Sequence, residues 1–90
     1  MSIAAVKIKF MPVSPESDLE KIEKEAKEII EADGGKGSKF EKKPIAFGLN
    51  ALEVLFAWPE EKELEELEEK LKKIEDINSV QVVDIRRAIG

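Results

Sequence analysis

Two stretches of the sequence have the pattern of a strand, and each is followed by a stretch with the periodicity of a helix. In residues 3–11 one side carries Ala4, Val6, Ile8 and Phe10, and the other side includes Lys7 and Lys9. Residues 51–58 are nearly continuous in apolar residues, with Leu52, Val54, Phe56 and Trp58 on one face and Glu53 on the other. A period of two is typical of a strand with one buried face. Both stretches are therefore predicted strands, which excludes a helical bundle, and residues 51–58 are the best candidate for a central strand.

The stretch after each strand repeats apolar residues at spacings of three and four, as one buried face of a helix requires. The first repeat is Leu19, Ile22, Ala26, Ile29 and Ile30, and the second is Leu64, Leu67, Leu71 and Ile74. The Ser-x-x-Glu pattern from Ser17 to Glu20 predicts a capping box at the start of the first helix, and Gly34 and Gly35 predict its end. The second helix is expected to begin at residues 59–61.

Two further strands complete the pattern. Residues 37–45 are rich in lysine and include Pro44 near their end, as suits an edge strand, and residues 80–85 form the last strand. The order strand-helix-strand-strand-helix-strand predicts an α+β, ferredoxin-like sandwich, in which a four-stranded antiparallel sheet carries both helices on one face. The second and fourth strands should be the edges. A chain of 90 residues is expected to form a single domain, residues 1–90.

The composition excludes several classes of function. The net charge of -5 argues against electrostatic binding of the whole domain to nucleic acid or anionic lipid. Cys, His and Tyr are absent, which removes thiolate and Ser-His nucleophiles and the usual zinc ligands, so we predict neither a metal nor a cofactor. No apolar run approaches the roughly 20 residues that span a bilayer. Lys7 and Lys9 make the first segment unlike a signal peptide, and a cytoplasmic location is expected.

Three charged or glycine-rich motifs have ordinary structural explanations. The acidic residues between 60 and 69 lie among lysines such as Lys62 and Lys70 and suit a solvated helix face rather than an acid-base site. Residues 34–37 lack the P-loop pattern and most simply form a helix stop and a hairpin loop. A basic cluster, Lys36, Lys39, Lys42 and Lys43, is favoured as protection of a strand edge over a contact with phosphates or an acidic partner. The predicted open sheet face lacks the aromatics of an RNA reader.

Two segments are harder to explain by the fold alone. In Pro44-Ile45-Ala46-Phe47-Gly48-Leu49, the aromatic Phe47 lies outside both strand patterns. It is either a side chain that a partner covers or a core residue at the entry of a strand, and the pattern does not favour one over the other. The second segment is the end of the chain, where Arg86 and Arg87 follow the last predicted strand and would ordinarily belong to a frayed tail.

At these segments the sequence resembles the guanine-nucleotide-exchange domain family of elongation factor 1-beta, in its short archaeal form. The resemblance covers the whole chain, and its most specific mark is the Pro-Ile-x-Phe-Gly-Leu motif of residues 44–49. Phe10-Met11-Pro12 and the ending Val80-Gln81-Val82-Val83-Asp84-Ile85 add to it. It implies a ferredoxin-like fold and promotion of GDP release from elongation factor 1-alpha during translation elongation, by protein binding and without covalent chemistry. Neither a gamma-type subunit nor a direct nucleic-acid or membrane contact is expected.

The resemblance also assigns residues to the contact with the partner. Phe47, flanked by Ala46 and Gly48 and preceded by Pro44, occupies the position of an aromatic that docks on a neighbouring domain of the G protein. In the eukaryotic relatives a lysine near the C-terminus disturbs the magnesium site of the G protein. Here arginine stands roughly at that place, with Arg87 the closer match and Arg86 the second choice, and the tail through Ile89 is assigned to the same contact.

Two other functions remain open on the residues alone. One is a regulatory module of the same fold that binds a small molecule, and the other is a weak enzyme that uses the open face of the sheet. The missing His, Cys and Tyr disfavour the enzyme. Fold-level analogy does not separate these alternatives, and the motif around Phe47 favours the exchange factor.

Overall fold

The structure is a computed structural model and describes residues 3–87. Along the chain it contains β1 Ile3–Pro12, α1 Leu19–Ala32, β2 Lys36–Pro44, β3 Asn50–Pro59, α2 Glu65–Lys72 and β4 Ile77–Arg87. The four strands form one sheet in the order β2-β3-β1-β4, and every neighbouring pair is antiparallel. The predicted α+β architecture is confirmed, with β2 and β4 at the edges.

The core lies between one face of the sheet and the two helices. The alternating side chains predicted for β1 and β3 all point to this face and are at most 4% exposed. They pack against Ile22, Ala26 and Ile30 of α1 and against Leu67 and Leu71 of α2. Burial of each large apolar side chain contributes roughly 1.5–3 kcal/mol. Within residues 3–87 both helices lie on this one face of the sheet, and we call the opposite face the open face.

The first helix is capped by a different residue from the one that the sequence pattern predicts. The Asp18 carboxylate accepts hydrogen bonds from the backbone N–H groups of Glu20 and Lys21, at 3.1 and 3.2 Å, so Asp18 is the N-cap. The predicted capping box at Ser17 is therefore wrong. The Ser17 hydroxyl instead accepts a hydrogen bond from the backbone N–H of Ser14, because both serines belong to the turn that precedes the helix.

The predicted end of α1 at the paired glycines is confirmed. The N–H of Gly35 donates to the carbonyl of Ile30 at 2.8 Å, and the N–H of Gly34 donates to Glu31 at 3.2 Å. These two bonds form a Schellman motif, which needs a left-handed residue after the cap. Gly34 supplies it with a φ of 109°. The chain then enters β2 directly at Lys36, so the hairpin loop expected in residues 34–37 is not formed.

The second helix begins later than predicted. Residues 59–61 do not start a helix, because Pro59 is still the last residue of β3 and α2 begins at Glu65. The indole N–H of Trp58 donates to the carbonyl of Lys62 at 3.2 Å, and the N–H of Lys62 donates to Pro59. These bonds satisfy the indole donor of a buried Trp58 and hold the intervening residues in a turn. Within residues 3–87, no helix is long and apolar enough to cross a membrane.

Candidate functional site

The loop that joins β2 to β3 presents Phe47 at its tip. Pro44, the last residue of β2, pairs with Asn50, the first residue of β3. The loop is closed by a hydrogen bond from the N–H of Ile45 to the carbonyl of Leu49 at 2.8 Å. Ala46, Phe47 and Gly48 form a short 3₁₀ turn within it. The loop is therefore held at both ends, and only a few residues lie beyond the sheet.

Phe47 is almost entirely exposed. Its side chain is 94% accessible, whereas Phe10 and Phe56 are buried and Phe40 is packed against the core. The interpretation of Phe47 as a core residue at a strand entry is therefore wrong. Leaving a large aromatic in water gains nothing for folding, so its exposure needs an explanation outside the domain.

The backbone of Phe47 is also unusual. Its φ is 63° and its ψ is 30°, in the left-handed region that a residue with a large side chain rarely adopts, and the next residue, Gly48, has a φ of 73°. A left-handed conformation costs a residue with a Cβ roughly 1–2 kcal/mol. The loop accepts this energy because its closing hydrogen bonds fix the turn. The strain and the exposure together make Phe47 a candidate for contact with a partner, because neither feature stabilises the fold.

The two arginines lie inside the last strand and not in a tail. Strand β4 extends to Arg87, and Arg86 and Arg87 pair with Ala5 and Ala4 of β1. The expectation that they follow the last strand and fray is wrong, because β1 begins at Ile3 and supplies partners for them. Ile89, assigned to the same contact from the sequence, lies outside the described residues.

Arg86 and Arg87 point to opposite faces of the sheet, since successive residues of a strand alternate. Arg86 lies on the open face, and its Nε donates to Asp84 Oδ2 at 2.9 Å. Arg87 lies on the helix side, with its Nε 3.6 Å from Glu60 Oε1. Both guanidinium groups remain more than four-fifths exposed. Both guanidinium groups are therefore accessible at the same end of the sheet, one on each face.

The structure does not bring Phe47 and the arginines together. Arg87 pairs with Ala4, which in turn pairs with Trp58 near the end of β3, whereas Phe47 precedes the start of β3 at Asn50. The eight residue steps from Asn50 to Trp58 span about 26 Å at about 3.3 Å per residue. The candidate site thus consists of two separate contacts at opposite ends of the sheet.

Within residues 3–87, no group of three or more Asp, Glu, His or Cys side chains is placed to hold a metal ion. One lysine has a shifted pKa: the hydrogen bond from Lys70 to the Asp33 carboxylate, at 2.8 Å, raises the pKa of Lys70. This pair joins the end of α1 to α2. The exposed side chains at the two contacts, Phe47, Arg86 and Arg87, can bind another protein.

The sequence matches the family described as the EF-1 guanine nucleotide exchange domain over residues 5–88. The chain belongs to this family. It is 42% identical to elongation factor 1-beta of Methanosphaera stadtmanae over 88 residues, covering 97% of this chain and 98% of that protein. It is 40% identical to elongation factor 1-beta of Methanosarcina barkeri over 88 residues, covering 97% and 99% of the two chains. These matches confirm the resemblance inferred from the residues.

A solved structure independently supports the fold. The 30S ribosomal protein S6 of Thermotoga maritima superposes with a TM-score of 0.62 at 17% sequence identity, covering 98% of this chain and 89% of that one. At this identity the likeness shows the ferredoxin-like fold and nothing of the function. As a member of the EF-1 guanine nucleotide exchange family, the chain has a role in nucleotide exchange during translation elongation.

Sequence reasoning missed two parts of the site. The left-handed backbone of Phe47 has a weak signal in the sequence, because Phe-Gly at a short connection between two strands suggests a turn that requires positive φ. The pairing of Arg87 with Glu60 has no local signal, since the two residues are distant in the chain and meet only where β4 pairs with β1.

Proposed function

We propose that this chain promotes GDP release from elongation factor 1-alpha by two contacts at opposite ends of its sheet. Phe47 docks on one domain of the GTPase, and an arginine at the end of β4 acts near the nucleotide and its magnesium ion. The observation that carries the proposal is the 94% exposure of Phe47 at a fixed loop tip, in a chain of the exchange-domain family.

The thermodynamics of the proposed activity is linkage. A protein that binds the nucleotide-free GTPase more tightly than the GDP-bound form must weaken GDP binding by the same factor. GDP release then needs no covalent step, and the exchange factor acts by binding alone. The separation of the two contacts suits this role, because one contact can hold the partner while the other acts at the nucleotide.

The roles of the two ends differ in their chemistry. Phe47 offers apolar area and a preset conformation, which favour affinity. Arg87, with Arg86 as the second choice, offers a permanent positive charge. P-loop GTPases hold their nucleotide partly through Mg²⁺, so a guanidinium group that approaches the magnesium site repels the metal and competes for its ligands. In this proposal Glu60 holds Arg87 in place until the partner binds.

Pro44, Ala46 and Gly48 support the Phe47 contact and do not form a separate site. Pro44 ends β2, and the small neighbours Ala46 and Gly48, both exposed, leave room for a partner surface to reach the aromatic ring. We propose the whole chain, residues 1–90, as one exchange domain that acts in the cytoplasm, where translation takes place.

The test is the release of a fluorescent GDP analogue from purified archaeal elongation factor 1-alpha, with and without this chain, over a range of Mg²⁺ concentrations. Acceleration that saturates with the concentration of the chain is the expected result, and its size should depend on Mg²⁺. An active GTPase whose GDP release is unchanged by the folded chain would contradict the proposal.

A further inference from the structure

The charges of this chain are divided unequally between the two sides of the sheet. The strand registers place six basic and three acidic side chains on the open face. The basic ones are Lys7, Lys9, Lys36, Lys39, Lys43 and Arg86, and the acidic ones are Glu41, Glu53 and Asp84. The whole chain has a net charge of -5, so the open face carries an excess of three positive charges and the rest of the molecule an excess of eight negative ones.

An irregularity in β2 brings two lysines to the open face. Lys36 pairs with Ala57 and Lys39 with Leu55, so β2 uses one more residue than β3 over this interval. Residues three apart in a regular strand point to opposite faces. The extra residue, next to Gly37 with its φ of 64°, places both lysines on the same face. Protection of a strand edge by charge does not require this arrangement.

Four of the basic side chains, Lys7, Lys36, Lys39 and Arg86, flank an apolar centre. Ile3 and Leu55 are 50% and 43% exposed, and Ala5 and Ala57 lie between them on the same face. A pocket of about 230 Å³ opens here, lined by Ile3, Ala57 and Pro59 with one basic and one acidic residue, Lys36 and Glu61, among its other walls. An apolar centre within a polar rim is the usual composition of a protein-protein interface.

We propose that the open face lies against the GTPase between the two end contacts, and that the GTPase presents an acidic surface with an apolar projection to it. The inference rests on the proposed function and names the middle of the same interface. It is continuous with that interface, because Arg86 projects from the open face at one end and the Phe47 loop extends from the sheet at the other.

An acidic protein fits this face better than a single-stranded RNA. Among the described residues the open face carries no aromatic side chain on which a base could stack. Its acidic groups lie among the basic ones, with Lys7 3.7 Å from Glu53 and Arg86 2.9 Å from Asp84. Such carboxylates repel phosphate, whereas Lys36 and Lys39, which have no acidic partner within residues 3–87, are available to carboxylates of a protein.

The charge division also determines how the two proteins meet. A basic face on an otherwise acidic molecule orients the encounter with an acidic surface and raises the association rate constant at low salt. The two helices, which lie on the side with the excess of negative charge, are directed away, and Arg87 reaches the GTPase from the end of the sheet. The open face should therefore act mainly on association, whereas Phe47 should act mainly on dissociation.

The experiment measures association of the chain with archaeal elongation factor 1-alpha by stopped-flow fluorescence at several salt concentrations. The test variant is Lys36→Glu with Lys39→Glu. The matched control is Lys24→Glu with Lys27→Glu, which makes the same change of charge at exposed positions of α1. We expect the association rate constant of the test variant to fall at least tenfold at low salt, with the difference shrinking as salt rises, and a much smaller effect of the control. Thermal melts establish that both variants are folded, and Lys36→Gln with Lys39→Gln provides a milder change.

Equal rate constants for the test and control variants would overturn the inference and leave the proposed function intact. Normal association together with unaccelerated GDP release would overturn the proposed function instead. If the wild-type chain does not bind the GTPase at all, both are wrong. A 20-nucleotide single-stranded RNA is tested in parallel. The inference would be overturned if the wild-type chain binds this RNA, the test variant does not, and the test variant still associates with the GTPase at the wild-type rate. That result would assign the face to nucleic acid.

Discussion

Phe47 and Arg87 lie at opposite ends of the sheet, separated by the length of β3. The proposed partner must therefore span at least the length of β3, about 26 Å at about 3.3 Å per residue. Two contacts this far apart have no shared neighbours, so the effects of substitutions at them should be close to additive in free energy. This makes their roles separable in kinetic measurements.

Replacing Phe47 by alanine should weaken exchange without weakening the fold. The side chain is 94% exposed, so its removal should change the free energy of unfolding by no more than about 0.5 kcal/mol. As a central aromatic anchor it should cost at least about tenfold in affinity for the GTPase. Thermal melts and GDP-release rates at several concentrations of the variant measure the two effects. Lys24→Ala, at an exposed position of α1 away from the proposed interface, is the control and should leave exchange near the wild-type rate.

Replacing Phe47 by glycine should separate stability from function more sharply. Glycine adopts a φ of 63° without steric cost, whereas alanine does not. The Phe47→Gly variant should therefore be more stable than the Phe47→Ala variant by up to about 1 kcal/mol, although both lose the docking ring. Urea unfolding at equilibrium measures the difference. Equal stability of the two variants would show that the left-handed backbone of Phe47 carries no strain, and wild-type exchange by either variant would remove the ring from the interface.

The architecture of this chain is predictable from its sequence because its core residues are regularly spaced. Every alternating apolar residue of β1 and β3 is buried as the pattern indicates. The helix stripes are buried too, except that Leu19, Ile29 and Leu64 are only partly buried against the core. The order of the strands and helices along the chain is then compatible with only a few sheet topologies. The position of Phe47 was ambiguous, because apolarity alone does not distinguish a core residue from one that a partner covers.

The errors at the element ends have local physical causes. The Asp18 carboxylate competes with Ser17 for the cap and is the residue that caps the helix, and two adjacent candidates cannot be ranked by pattern. The start of α2 was misplaced because the turn after Trp58 depends on a hydrogen bond from its buried indole to Lys62. The extent of β4 depends on pairing with β1, which is distant in the chain.

Charge at the position of Arg87 should control GDP release from the bound complex. At a saturating concentration of the exchange factor, the Arg87→Ala variant should give slower GDP release than the wild type, while it keeps most of its affinity for the GTPase. The difference in release rate should shrink at low Mg²⁺, where there is less metal to displace. Arg87→Lys should retain most of the activity, because it keeps the charge. Point substitutions suit this test better than truncation, since residues 86 and 87 pair with β1.

The companion variant Arg86→Ala decides between the two arginines. Arg86 lies on the other face of β4 and is held by Asp84 at 2.9 Å. It should slow association in the manner of Lys36 and Lys39, with GDP release at saturation near the wild-type rate. The reverse result, in which Arg86→Ala lowers release at saturation and Arg87→Ala does not, would assign the action at the magnesium site to Arg86.

Lys70 should contribute stability that disappears at high pH. Its hydrogen bond with Asp33, at 2.8 Å, raises the pKa of Lys70 in the folded chain. A group whose pKa is raised on folding stabilises the fold fully below its unfolded pKa, and the contribution is lost as the pH rises through the folded pKa. Lys70→Gln should therefore be less stable than the wild type at neutral pH. The difference should persist up to about pH 10.4, the ordinary pKa of lysine, and should be lost only as the pH rises further, through the raised pKa of the folded chain. Thermal melts from pH 7 upward measure it. Lys72→Gln, at an exposed position of the same helix, is the matched control for the loss of one lysine. A difference for Lys70→Gln that stays constant with pH would show that the lysine acts through packing and not through its charge.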